Sequence, residues 1–136
     1  MNVFKSFMMV AVFGTLIVSD GAFAAAASNA TQTVAGGGVT AKVTYLNPES
    51  RKEPRFGVVL DTHSVDLDAY DFKNITIIRN DAGETHSPAR VEVKGGGHHR
   101  TATLIFPNLS PEAKRVELVI KDVAGVKERT FHWDLR

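Results

Sequence analysis

Two adjacent histidines on a glycine-rich segment are the residues of this chain best suited to chemistry. The segment Gly95–Arg100 reads Gly-Gly-Gly-His-His-Arg, in a protein with five histidines and no cysteine. A second polar cluster, Asp61–Asp71, lies upstream and contains His63 together with four aspartates. Neutral imidazole is a borderline ligand that suits Zn²⁺ or Cu²⁺. If the two clusters meet in space, they offer nitrogen and oxygen ligands to a divalent metal.

The amino terminus predicts a secretory signal over residues 1–24. Lys5 gives its first part a positive charge, Phe7–Val18 is an apolar stretch, and Ala22–Ala24 is an A-x-A cleavage site. The twelve residues of the apolar stretch are fewer than the roughly 20 that a membrane-spanning helix needs; a retained anchor is the alternative. We therefore expect a mature protein that is periplasmic or secreted and has no membrane span after cleavage.

Composition limits the kinds of partner and cofactor. Export permits disulfides, but the chain has no cysteine, so the core must hold by packing, and thiolate metal sites and cysteine nucleophiles are excluded. Removal of residues 1–24 takes away Lys5 and Asp20 and leaves 15 basic and 14 acidic residues. This balance argues against nucleic acid as a partner, because nucleic-acid binders carry a basic excess. We expect the partner to be another extracytoplasmic protein.

Alternating apolar residues predict an all-β fold. Residues 25–38 are small, polar and rich in glycine, and we expect them to form a flexible leader to one folded domain over residues 39–136. From Val39 onward, a period of two residues recurs between turn signals. Seven strands, lettered A to G, are predicted at 39–45, 56–60, 74–79, 90–94, 101–106, 115–121 and around Phe131, Trp133 and Leu135. Because no long helical segment separates them, these strands predict a seven-stranded antiparallel β-sandwich.

This strand pattern resembles that of an immunoglobulin-like or fibronectin type III-like domain, and the resemblance covers roughly residues 39–136. It implies an Ig-like β-sandwich and no particular activity. The chain departs from antibody domains because it lacks the paired cysteines and carries its tryptophan on the last predicted strand. The chain also loosely resembles small exported bacterial domains of unknown function, through the segments Leu60–Asp68, Gly95–Arg100 and Glu128–Leu135.

The order of the strands predicts which histidines lie at the same end of the sandwich. In an antiparallel sandwich the B–C, D–E and F–G connections emerge together, and they carry His63, the pair His98–His99 and Asp122. His86 lies in the C–D connection, at the opposite end. His132 lies about five residues into strand G, roughly 17 Å from the F–G turn at about 3.3 Å per residue. We therefore exclude His132 from the same site.

Strand alternation then separates the two adjacent histidines. His98 shares the even register of the inward-facing residues of strand E, whereas the side chain of His99 points away. Both can face one ion only if Gly95–Gly97 bends the chain out of strand geometry, which glycine permits. If a metal binds, the predicted ligands for Cu²⁺ or Zn²⁺ are His63, His98, His99 and Asp66. The alternative is a solvated loop whose histidines are exposed or hydrogen-bonded.

The acidic segment Asp66–Asp71 has two interpretations. One is a calcium-type oxygen cluster, although the spacing of an EF-hand loop is absent from the segment. The other, which we favour, is a short turn in which Asp68 caps one helical turn and neighbouring apolar side chains cover the edge of the core. These apolar residues are Val65, Leu67, Tyr70 and Phe72.

Three functions compete at this point. The first, which we favour, is an exported, non-enzymatic binding domain that acts through the B–C/D–E/F–G end or through an exposed strand edge, where free backbone groups permit strand addition. The second is an extracytoplasmic copper or zinc carrier that uses His63 with His98 or His99. The third is a hydrolase at the same end, in which a serine hydroxyl meets a histidine; no G-x-S-x-G motif supports it.

Overall fold

The computed structural model describes residues 30–136; the predicted signal at 1–24 and residues 25–29 of the predicted leader lie outside them. The strands are β1 (Thr31–Gly36), β2 (Val39–Tyr45), β3 (Arg55–Thr62), β4 (Thr76–Asn80), β5 (Thr85–His86), β6 (Arg90–Gly96), β7 (His99–Ile105), β8 (Arg115–Val123) and β9 (Val126–Asp134). A 3₁₀ turn at Leu67–Ala69 and a short helix, α1, at Phe72–Ile75 lie between β3 and β4. No helix in this part of the chain is long and apolar enough to cross a membrane.

The strands form two antiparallel sheets that pack as a β-sandwich. The five-stranded sheet has the order β1-β2-β3-β7-β6, and the four-stranded sheet has the order β5-β4-β8-β9. Alternate residues of β2, from Val39 to Tyr45, are buried between the sheets, as a period of two requires. The predicted all-β antiparallel class is therefore confirmed, but residues 30–136 contain nine strands rather than seven.

Two edge strands account for the difference in number. β1 lies inside the predicted flexible leader, so that prediction is wrong for Thr31–Gly36, each of whose residues pairs with β2. The strand gives a weak signal because Val34 is its one apolar residue larger than alanine. β5 has only two residues and is too short to show a period.

The connection between β3 and β4 displaces one predicted strand boundary. The sequence predicts that strand C begins at Asn74, but β4 begins at Thr76 because residues 72–75 are helical. The carboxylate of Asp71 accepts a hydrogen bond from Lys73 N at 3.0 Å and caps this helix. Phe72 is buried and holds the helix against the core.

Four aromatic side chains form the core at the end of the sandwich away from the glycine–histidine segment. Tyr45 stacks on Phe56 with ring centroids 4.4 Å apart, and Trp133 approaches these two rings at 5.7 Å and 5.3 Å. Phe106 meets Phe56 edge-on at 5.8 Å. The cluster joins the two sheets, because Tyr45 lies on β2 and Trp133 on β9. Burial raises the pKa of Tyr45 to about 12, and the positive charge of Arg51 opposes this rise.

One side of the sandwich, formed by β1 and β9, is closed by side chains. The amide of Gln32 donates to His132 O at 2.5 Å and accepts from His132 N at 3.1 Å, as the backbone of a neighbouring strand would. Arg129, which is 1% exposed, donates to Gly36 O at 2.6 Å and to Val123 O at 2.9 Å. We call the contacts made by Gln32 and Arg129 the β1/β9 seam.

Two tight turns meet at the end of this seam. Gly37 and Gly38 connect β1 to β2 with φ values of 61° and 78°, and Ala124 and Gly125 connect β8 to β9 with φ values of 52° and 75°. Positive φ at both central residues matches the twist of a hairpin. Gly37 must be glycine, because a Cβ atom there would collide with the carbonyl oxygen of Ala124.

Candidate functional site

Three histidines lie around one shallow depression at the end of the sandwich that carries the β1–β2 and β6–β7 turns. The depression is lined by Gly38, Thr40, Asp61, Thr62, His63, His98 and His99. We call this surface the histidine pole. The two polar clusters of the sequence, Asp61–Asp71 and Gly95–Arg100, therefore meet in space.

Backbone hydrogen bonds fix the β6–β7 turn against the segment that follows β3. Gly97 N donates to Oδ1 of Asp68 at 3.0 Å, and Leu67 N donates back to Gly97 O at 3.0 Å. On the other flank of the turn, Thr62 N donates to His98 O at 3.0 Å. The turn is held on both flanks, so its two histidines are presented by a fixed backbone.

Thr62 organises the chain as it leaves β3. Its side chain is buried, and its hydroxyl donates to Gly38 O at 2.7 Å. The same hydroxyl oxygen accepts hydrogen bonds from Ser64 N and Val65 N, both at 3.2 Å. One buried threonine therefore holds the β1–β2 turn and the turn that carries His63 in a fixed relation.

The acidic segment forms a turn in which three aspartates have separate roles. Asp66 accepts a hydrogen bond from Asp68 N at 3.0 Å and caps the 3₁₀ turn, while Asp71 caps α1. The prediction that Asp68 is the cap is wrong: Asp68 lies within the 3₁₀ turn, and its carboxylate accepts from Gly97 N instead. The apolar residues expected at the edge of the core are buried (Leu67 and Phe72) or partly buried against it (Val65 and Tyr70).

Arg100 ties this segment to β7. Its Nη1 donates to the carbonyl oxygens of Leu67 and Tyr70, both at 2.6 Å. Its guanidinium lies over the ring of Phe72, 5.0 Å from the centroid, and its Nε is 3.9 Å from Oδ1 of Asp68. The side chain is 12% exposed, so this arginine acts mainly as a clamp on backbone carbonyls.

Two residues of this end escape the sequence prediction, although the sequence carries a signal for each. Arg100 has the even register of Ala102 and Leu104, which are buried, so alternation places it on the inner face of β7. Asp61 stands directly opposite His99 in the pairing of β3 with β7. Both residues lie one or two positions beyond the predicted strands at 56–60 and 101–106, so the contact would have been found only by extending that pairing toward the turn.

The rings of His98 and His99 are held by different acceptors. Nδ1 of His98 lies 3.2 Å from the carbonyl oxygen of Val65, and Nδ1 of His99 is hydrogen-bonded to Oδ1 of Asp61. A carbonyl or carboxylate oxygen accepts hydrogen bonds, so each Nδ1 is the donor and each neutral ring keeps its lone pair on Nε2. The side chain of His99 is 65% exposed, which leaves this nitrogen accessible.

The predicted metal ligands do not all converge. Asp66, the predicted carboxylate ligand, is not among the residues that line the histidine pole. The aspartate that lines it is Asp61. Within residues 30–136, no group of three or more histidine, cysteine, aspartate or glutamate side chains is arranged to hold a metal ion. The pole has the donor types of a metal site, but its side chains would have to rotate to close on an ion.

The other two described histidines lie elsewhere, as their place in the sequence predicts. His86 is on β5 opposite Ile78, and its buried Nε2 has no hydrogen-bond partner among the described residues. His132 is on β9, with its Nδ1 3.6 Å from a carboxylate oxygen of Glu117. It lines a separate depression along β8 and β9.

Among residues 30–136, the serine hydroxyls make no contact of the kind that a serine hydrolase uses. The Ser110 hydroxyl is 2.8 Å from a carboxylate oxygen of Glu112. In the part of the chain that the structure describes, neither Ser64, Ser87 nor Ser110 is hydrogen-bonded to a histidine. The hydrolase function stays a prediction that these contacts do not support.

The fold is thus an antiparallel β-sandwich with a polar site at one end. No family model matches the chain, and no match was found among curated proteins or solved structures. The functional argument therefore depends on the geometry of the histidine pole itself.

Proposed function

We propose that this protein is an exported, non-enzymatic binding domain whose partner-binding surface is the histidine pole. The observation that carries the proposal is the bonding between its two connections: the turn that carries His98 and the segment that carries His63 are held together through Thr62, Leu67 and Asp68. A backbone held in this way loses little conformational freedom when a partner binds, and this lowers the cost of binding.

The surface combines hydrogen-bond donors and acceptors. It offers the carboxylate of Asp61, the hydroxyl of Thr40 and the Nε2 atoms of His98 and His99. Imidazole changes between neutral and cationic forms close to neutral pH, so it can either accept from or donate to polar groups of a partner. The partner we propose is another extracytoplasmic protein.

The test compares three proteins as bait in the extracytoplasmic fraction of the source cells. These are the wild type, the pole variant His63→Ala/His98→Ala/His99→Ala, and the control His132→Ala, which removes a histidine that is 64% exposed outside the pole. We expect the wild type and the control to retain the same protein and the pole variant to lose it. Equal retention by all three contradicts the pole as the binding surface, and a wild type that retains nothing contradicts the binding domain.

We further propose that the sandwich is immunoglobulin-like. Immunoglobulin constant domains pair strands A-B-E-D in one sheet and C-F-G in the other. The predicted strands A to G correspond to β2, β3, β4, β6, β7, β8 and β9, so the orders β2-β3-β7-β6 and β4-β8-β9 follow that scheme, with β1 and β5 added at the edges. An experimental structure in which β6 pairs with the four-stranded sheet would contradict this assignment.

A second candidate function is copper or zinc binding at the same pole. The observation that favours it is the anchoring of both Nδ1 atoms, to Val65 O in His98 and to Asp61 in His99. Metal-ligating histidines ordinarily donate their second ring N–H to a carbonyl or carboxylate, which orients the ring and leaves the other nitrogen to the metal. His63 would supply a third ligand after rotation of its side chain.

Thermal unfolding distinguishes this second candidate from a metal-free binding domain. One equivalent of Cu²⁺ or Zn²⁺ at about pH 7 should raise the melting temperature, because a ligand that binds only the folded state stabilises it by about 2.7 kcal/mol at 100 times its Kd. We expect the rise in the wild type and in His132→Ala but not in His98→Ala. The absence of a rise with either ion removes the candidate, and an equal rise in His98→Ala removes the pole as its site.

Export is proposed from the sequence of residues 1–24 alone. We expect the mature protein to begin at Ala25 and to be recovered from the periplasm or the medium. Amino-terminal sequencing of the fractionated protein tests both points. A chain that keeps its first 24 residues and stays with the cytoplasmic fraction would contradict export.

A further inference from the structure

The edge strand β6 is open, in contrast to the β1/β9 seam. β6 ends the five-stranded sheet beside β7, and within residues 30–136 no strand pairs with its other edge. Glu92, Val93 and Lys94 are exposed along it. Val93 is 44% exposed although it stands opposite the buried Ala102, so an apolar side chain of the inner face is left uncovered.

The charges of β6 alternate in sign along one face. Charged side chains at a sheet edge ordinarily oppose edge-to-edge pairing. Here the side chains of Arg90, Glu92 and Lys94 are positive, negative and positive in turn, and Val91 and Val93 lie between them. Because opposite charges attract when they stand across from each other in neighbouring strands, this pattern is complementary to itself when a second copy runs antiparallel with the right offset.

We propose that β6 binds a second copy of this chain, antiparallel and edge to edge, about a two-fold axis at Val93. In this register Val93 faces Val93 of the second copy. Glu92 faces Lys94 of the second copy, and symmetry repeats the pair on the other side of the axis. The contact covers both exposed valines and joins the two five-stranded sheets into one continuous sheet. It does not involve the histidine pole.

Other registers of the same pairing fit the strand less well. With the axis at Val91, the ladder would include Pro88, which has no N–H to donate, and Ala89, whose N–H already donates to Ile105 O at 2.8 Å. With the axis at Glu92, the two carboxylates would face each other. A single pair of strands is a small interface, so we expect a dimer that forms only at high protein concentration.

Single cysteines test the register, because the chain contains no other cysteine. Residues that face each other in an antiparallel pair have Cα atoms about 4.5 to 5.5 Å apart, within the roughly 4.4 to 6.8 Å that a disulfide spans. Under mild oxidation, Val93→Cys should form a disulfide-linked dimer at least about tenfold faster than the control Val91→Cys, whose two copies lie roughly 13 Å apart along the strands. Equal rates, or no dimer from Val93→Cys, overturn the proposal.

Charge exchange tests the pairing without a covalent link. Light scattering of the wild type should show association as the concentration rises from roughly 10 µM to roughly 1 mM. Glu92→Lys should abolish it, because two lysines then face each other, and Glu92→Lys/Lys94→Glu should restore it. Circular dichroism checks that all three proteins are folded. A wild type that stays monomeric, or a folded double variant that does not associate, overturns the proposal.

Discussion

The two sides of this sandwich differ in how their edge strands are closed. On one side, Gln32 and Arg129 join β1 to β9 through backbone groups of the opposite strand or turn. On the other side, no strand within residues 30–136 pairs with the outer edge of β6, and the corresponding edge strand of the four-stranded sheet, β5, has two residues. The contrast shows two ways to treat a sheet edge. Gln32 and Arg129 close one side by making the hydrogen bonds that a neighbouring strand would make, whereas β6 carries charged residues of alternating sign along an edge that no described strand occupies.

Arg129 closes the seam without a carboxylate. Among the described residues no acidic group lies within ion-pair distance of it, and its partners are the carbonyl oxygens of Gly36 and Val123. Burial lowers the pKa of Arg129, because desolvation disfavours the charged form. The seam therefore depends on two carbonyl contacts that have to offset the desolvation of a cation.

Removal of Arg129 should give the largest loss of stability on the closed side. Arg129→Ala removes the donor to the carbonyl oxygens of Val123 and Gly36 and opens a cavity, which together should lower the free energy of unfolding by about 3 kcal/mol. Urea unfolding measures this change. Arg129→Met keeps most of the apolar volume and should recover part of the loss; a variant with unchanged stability would show that the seam contributes nothing.

Alkaline pH should weaken the same side through Tyr45, which packs against Trp133 of β9. Its pKa is raised from 10.0 to about 12, so the stabilisation is fully present below pH 10 and is lost as the pH rises toward 12. A shift of this size corresponds to roughly 2 to 3 kcal/mol. Unfolding measured across this pH range should show the loss in the wild type and a smaller one in Tyr45→Phe, which keeps the ring. Parallel profiles for the two proteins would contradict this role.

Gln32→Ala should have a smaller effect at the same seam. The substitution removes two hydrogen bonds to the partly exposed backbone of His132, so we expect the free energy of unfolding to fall by about 1 kcal/mol. Amide hydrogen exchange at His132 should accelerate. Thr33→Ala, an exposed residue on the same strand, is the control and should change neither quantity. An effect of Thr33→Ala as large as that of Gln32→Ala would assign the loss to β1 as a whole.

Val93→Thr on the open side should have the smallest effect on the isolated chain. Val93 is 44% exposed, so at low protein concentration the stability should change by less than about 0.5 kcal/mol. Hydrogen exchange under the same conditions should be faster in β6 than in β9. A large loss in the dilute monomer would mean that the two sides are equally closed.

Seven strands could be predicted from the sequence, among them the edge strands β6 and β9, whereas the edge strands β1 and β5 could not. Strand A matches β2 at both ends, residues 39 and 45, because its inward face is apolar at every second position. β1 has one packed side and exposes Thr31 and Thr33, so its composition is that of a linker. Its position is set by the β1–β2 turn and by pairing with β2, from Gly36 opposite Val39 to Thr31 opposite Thr44.

The connections that meet at the site could be predicted from the sequence, but the atoms that are in contact there could not. Strand order places His63 and His98 at the same end, where both line the histidine pole. The segment with Asp66, Asp68 and Asp71 offers several equivalent capping residues, and only the docking of Gly97 decides that Asp68 bonds to the turn. Such choices depend on tertiary contacts that no local pattern encodes.

The β1/β9 seam also has a consequence for the order in which the fold is completed. Gln32 and His132 are 100 positions apart in the chain, and Arg129 and Gly36 are 93 apart. Contacts between such distant positions carry a large loop-closure entropy and form late. In a chain that emerges amino end first, β1 pairs with β2 and β2 with β3 before β9 exists, whereas the seam has to wait until β9 has followed. Closure of the seam marks the arrival of the final strand.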